Sequence, residues 1–137
     1  MLKEIVNAFR STDVVEELEA KIGEMLDAGS WMFRQVSDLL ARKAMAEDIA
    51  DALYEKDRMI NQLEQEIREK IVTHLMVGNP QDLGPCLVLM SVVKDAERIG
   101  DYCKNIFEVG KFYQGAFERQ EYLVALEEIR CTIEGMF

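Results

Sequence analysis

The sequence predicts an all-α protein, an antiparallel three-helix bundle with an additional C-terminal helix. Apolar residues recur at three- and four-residue steps through most of the 137 residues, the period of a helix with one buried face. An apolar fraction of 49% is enough to fill the core of a single domain of this length. Gly78-Asn79-Pro80 is the sharpest stop signal in the chain and separates two long periodic runs.

Residues 1–11 mix charges among Leu2, Ile5, Val6, Ala8 and Phe9 and are expected to form a short helical arm. Asp13-Val14-Val15-Glu16 has the form of a capping box, so the first long helix is expected to start there. Leu18, Ile22, Met25, Leu26, Met32, Phe33, Val36, Leu39 and Leu40 give that helix one broad apolar face. Gly29-Ser30 is a weak point within it rather than an end. Trp31 reads as a packing residue. A break is expected near Arg42 to Ala46.

The second helix should run from about Glu47 to Val77, burying Ile49, Leu53, Ile60, Leu63, Ile67, Ile71 and Leu75. His74, near its end, reads as a residue favoured by the helix dipole. Asp82 then caps a third helix, which tolerates Pro85 in its first turn and reaches about Tyr113. A fourth helical segment, from about Ala116, carries Phe117, Leu123, Leu126, Ile129 and Ile133. The domain organisation expected is thus an arm over 1–11, a three-helix unit over 12–113 and a C-terminal helix over 114–137.

The third helix carries two opposed stripes. Leu89, Val92, Val93, Ala96, Ile99, Cys103, Ile106 and Phe107 form the face expected in the core. Lys94, Glu97, Asp101, Asn105 and Glu108 form the outer face, with Glu97 and Asp101 one turn apart. Like charges at that spacing cost an isolated helix about 0.2 to 0.5 kcal/mol, a penalty that a cation or a basic partner would relieve.

Charge and composition exclude several functions. A formal net charge of -10 repels nucleic-acid phosphates, and no basic stripe offsets it. Cys86, Cys103 and Cys131 are odd in number and widely spaced, as expected of reduced packing residues in the cytoplasm. Residues 1–10 lack the apolar core and cleavage site of a signal peptide, and no apolar run is long enough to cross a bilayer. Any association with a membrane would therefore pass through a partner. No phosphate-binding Gly-rich loop or nucleophile elbow is present, and the single histidine has Ile71 three residues before it instead of a glutamate, so no Glu-x-x-His di-metal centre forms. The protein is not expected to be an enzyme.

Lys94-Asp95-Ala96-Glu97-Arg98-Ile99-Gly100-Asp101, followed by Asn105-Ile106, resembles the E-R-I-G-D…N-I signature of the PhoU family. Asn79-Pro80-Gln81-Asp82-Leu83 is similar to that family's P-x-D-L helix start, with Gly84 where an arginine is usual. Asp57-Arg58-Met59-Ile60-Asn61-Gln62-Leu63 is similar to its D-x-x-I-x-x-L segment. The resemblance covers roughly residues 12 to 112. It implies a non-catalytic regulator of phosphate uptake and phosphate-starvation signalling, acting through metal and protein binding, with a phosphate-specific ABC transporter and a sensor kinase as partners. It also implies two tandem three-helix repeats. Ile133-Glu134-Gly135-Met136-Phe137 loosely repeats Ile22-Gly23-Glu24-Met25-Leu26, which leaves three readings of the chain: a fragment in which a second repeat begins, a single-repeat relative, or half of an assembly. The apolar face of the last helix would be buried most simply against a second copy of the chain, in a homo-oligomer.

Carboxylate and amide oxygens are hard ligands suited to iron(III), manganese or magnesium. Members of the family bind metal through E-x-x-x-D patterns, which implicates Glu97 and Asp101, assisted by Asn105. Asp57 and Asn61, with Glu64, form a second row on the preceding helix if the register brings them across. Two other readings stand beside this one. The acidic face is a solvated surface with Lys94, Arg98 and Lys104 as counterions, or the chain is a helical oligomerisation or adaptor domain associated with an ion transporter.

Overall fold

A computed structural model describes residues 2–41, 44–77, 82–112 and 120–136. They form four helices: α1 (Leu2–Leu40), α2 (Ala46–Val77), α3 (Leu83–Phe112) and α4 (Gln120–Glu134). The first three pack on one another in every pairwise combination. Cross-helix contacts fix their directions. Glu17 pairs with Lys70 and Lys21 with Glu66, so α1 and α2 run antiparallel. Asp57 pairs with Lys104 and Glu64 with Lys94, so α2 and α3 do too. Gly29 lies by Cys103 and Leu39 by Gly110, which leaves α1 and α3 parallel.

Helix α1 is continuous from Leu2, and Asp13 lies inside it instead of starting it. No glycine or proline precedes Gly23, so nothing in the backbone chemistry stops the helix from extending upstream past a capping sequence. It also passes unbroken through Gly29-Ser30, whose small residues are buried where α1 meets α3. The break before α2 falls where expected, and α2 starts one residue early, at Ala46. Gly78-Asn79-Pro80 and Phe117 lie outside the described residues.

The core contains Leu18, Ile22, Met25, Met32 and Val36 from α1 and Leu53, Ile60, Leu63, Ile67 and Ile71 from α2. From α3 it receives Cys86, Val93, Ala96, Cys103 and Phe107. Phe107 meets Tyr54 edge to face, with ring centroids 5.7 Å apart. Trp31 packs at the margin of the core, as a packing residue should.

The facing of α3 departs from the sequence expectation. Its buried line is Cys86, Val93, Ala96, Glu97, Gly100, Cys103 and Phe107. Ile99 is only half-buried and Val92 is exposed, whereas Glu97 is turned inward. Small residues decide this rotation. A Cβ on Gly100 would stand 2.9 Å from Ile60 Cδ1, so the glycine leaves room for the Ile60 side chain in its present position against α3. The bulkier Ile99 is displaced to the flank.

Candidate functional site

Among the described residues, Asp57 and Glu97 are the two buried acidic side chains, at 9% and 8% exposure. Both occupy positions on the apolar stripe of their helix. Asp57 falls between Leu53 and Ile60 on α2, and Glu97 between Val93 and Gly100 on α3. A carboxylate removed from water in this way requires a charged or hydrogen-bonded partner. Lysines from α3 provide one for each.

Lys104 Nζ donates to both carboxylate oxygens of Asp57, at 2.9 and 3.0 Å, and to Asp101 Oδ1 at 3.1 Å. Its pKa is raised, chiefly by the hydrogen bond to Asp57, against a smaller opposing effect of burial. Toward the other end of the seam, Lys94 Nζ donates to Glu97 Oε2 at 2.7 Å and lies 3.7 Å from Glu64 Oε1. The hydrogen bond to Glu97 is the main cause of the raised Lys94 pKa. Glu64 also accepts from Arg68 Nη1 at 2.9 Å. Four carboxylates thus face three cationic groups along the contact between α2 and α3.

Each residue singled out in the sequence can now be placed. Glu97 and Asp101, one turn apart, are drawn to different lysines, Glu97 to Lys94 and Asp101 to Lys104. Asp57 does reach across to Asp101, through the shared ammonium. Asn61 is half-buried one turn beyond Asp57, and Asn105 is exposed. Among the described residues, no group of three or more His, Cys, Asp or Glu side chains is placed to hold an ion together. The donors have the hard-oxygen chemistry of a metal site, but ammonium hydrogens occupy the space between them. Lys94 and Lys104 are the counterions expected under the acidic-surface reading, whereas Arg98 turns away to Asp95 at 3.3 Å. Asp57 and Glu97, however, are largely withdrawn from water instead of lying on an open face.

At the far end of the α2–α3 pair, His74 Nε2 lies 3.0 Å from Asp82 Oδ2. The histidine expected to answer the helix dipole therefore also ties the end of α2 to the start of α3. On α4, Arg130 pairs with Asp38 of α1 at 2.9 Å and with Glu134 of its own helix at 3.0 Å. Cys86 and Cys103 are buried, and burial pushes the Cys103 thiol up to about 11, which suits inert packing residues. Cys131 is exposed. No described helix is long and apolar enough to cross a membrane.

The domain model described as "PhoU domain" matches residues 15–109. A phosphate-specific transport system accessory protein PhoU homolog of Clostridium acetobutylicum is 28% identical over 103 residues, covering 72% of this chain and 47% of that protein. A homolog of the same name from Rhizobium meliloti is 24% identical over 103 residues, covering 75% of this chain and 42% of that protein. The chain therefore spans less than half the length of these relatives. No solved structure matches.

Proposed function

The chain belongs to the PhoU family, and from that premise we propose that it regulates phosphate uptake and the phosphate-starvation response by binding other proteins. The observation that carries this reading is the family match over residues 15–109, which spans the whole α2–α3 seam and the Lys94–Asp101 segment at its centre. Both relatives are named as accessory proteins of phosphate-specific transport. A long, strongly acidic helical surface suits such a role, since it can recognise a basic patch on a transporter's cytoplasmic subunit or on a sensor kinase.

Regulation then proceeds without catalysis. The bundle presents charged faces and partners bind according to phosphate supply, on the cytoplasmic side of the membrane. Self-association belongs to the same proposal. Tyr122, Val124 and Ile129 of α4 are exposed, and a second copy of the chain would cover them.

Affinity capture from the native host in phosphate-rich medium tests the partner assignment. The tagged chain should retain the phosphate transporter's ATP-binding subunit or the phosphate-responsive kinase, and high salt should weaken that retention. Capture of neither, with the chain shown to be folded, would contradict it.

A further inference from the structure

The family resemblance points to a metal on the E-x-x-x-D pair, but the side chains of this protein are arranged for something else. We propose that Lys104, seconded by Lys94, takes the place of a metal cation in the α2–α3 seam, so that the two helices are joined across their carboxylates by ammonium groups and the seam takes up no metal.

Three observations carry the proposal. The first is saturation. An ammonium has three N–H donors, and Lys104 has three oxygens around it, two from Asp57 and one from Asp101, all within 3.1 Å. One side chain from α3 thereby ties an acid of α2 to an acid of its own helix, the bridging that a cation would otherwise supply. Second, the E-x-x-x-D pair diverges. Glu97 belongs with Lys94 and Glu64, and Asp101 with Lys104 and Asp57, so the two carboxylates of the motif do not converge on one point. Third, Asp57 is 13% exposed at its side chain and Lys104 is 25% exposed. An entering ion would have to displace an ammonium that is itself half-enclosed, leaving it to find new partners while the ion assembles six or more oxygens.

The proposal goes beyond the regulatory reading and fails separately from it, because metal content is measured on the purified chain without any partner. Manganese(II) uptake by the metal-stripped protein, followed by equilibrium dialysis and elemental analysis, is the direct test. The wild-type chain should show no uptake that depends on Asp57 or Asp101. Lys104→Met removes the ammonium and keeps the side-chain length, and it should bind manganese at least about tenfold more tightly. Adding Asp57→Asn to Lys104→Met should abolish that gain, and Lys104→Arg, which retains the charge, should stay at the wild-type level. Circular dichroism establishes that each variant is helical, and if Lys104→Met does not fold, the wild-type measurement decides alone. Wild-type uptake that is lost in both Asp57→Asn and Asp101→Asn would overturn the proposal. So would a folded Lys104→Met chain with no gain in binding. Wild-type uptake lost in Glu64→Gln or Glu97→Gln would overturn it too, whereas uptake unchanged by all four substitutions lies outside the seam and leaves it metal-free, as proposed.

Discussion

Phe107 and Lys104 lie one turn apart on α3 and hold the bundle by different means. Phe107 is fully buried against Tyr54, so Phe107→Ala removes a large apolar side chain from a position with no access to water. Chemical denaturation should show a loss of about 3 to 5 kcal/mol. Tyr102→Ala, at a position 65% exposed, should stay within about 0.5 kcal/mol. Lys104 acts through charge, and its effect is visible in the pH dependence of stability. Its folded pKa lies above the ordinary value of 10.5, so the stability it contributes is complete below that pH and is lost as pH rises through the folded value. Cys103 works in the same direction, because its thiol ionises near 9 when unfolded and near 11 when buried. Thermal melts should therefore fall above pH 9, and above about pH 10.5 the fall should be shallower in Lys104→Met. A melting temperature independent of pH between 9 and 11 would contradict the Cys103 assignment, and identical pH dependence of wild type and Lys104→Met above 10.5 would contradict that of Lys104. At this scale the sequence singled out Asp57, Glu97 and Asp101 but not which way they point. Asp57 falls on the apolar stripe of α2 in the sequence itself, whereas the burial of Glu97 follows from the rotation of α3 that apolar periodicity placed otherwise. Lys94 answers Glu97 from one turn away on the same helix, but the pairing of Lys104 with Asp57 depends on the register of two helices, which periodicity within one helix does not encode.

Helices α1, α2 and α3 were legible because each buries one face at helical period. Two features were not. The start of α1 was hidden because a capping sequence marks a helix start only where the upstream chain leaves the helix, and nothing upstream of Asp13 forces that departure. The rotation of α3 was hidden because a count of apolar side chains favours Ile99, whereas close packing favours Gly100 and Ala96. Helix α4 differs from the others in its attachment. Leu123, Val124 and Ile129 are exposed, and a cross-helix ion pair, Arg130 with Asp38, joins it to α1. Hydrogen exchange in dilute solution should therefore protect α2 amides near Ile60 and Ile67 most strongly and leave α4 exchanging fastest of the four helices. Equal protection of α4 and α2 at low protein concentration would mean that α4 is an integral part of the bundle.

The whole molecule combines a strongly acidic surface with an apolar helix that the bundle leaves largely uncovered. Light scattering over a dilution series should show a dimer or larger assembly that dissociates on dilution, and Ile129→Glu combined with Val124→Glu should shift it to the monomer. A monomeric mass at every concentration would remove self-association from the account. The central claim is regulatory, and expression of phosphate-starvation genes in the native host tests it most directly. Deleting the gene should leave those genes expressed in phosphate-rich medium, and restoring the wild-type chain should silence them again. Full repression in the deletion strain, with the starvation response otherwise intact, would contradict the assignment of this chain to phosphate signalling.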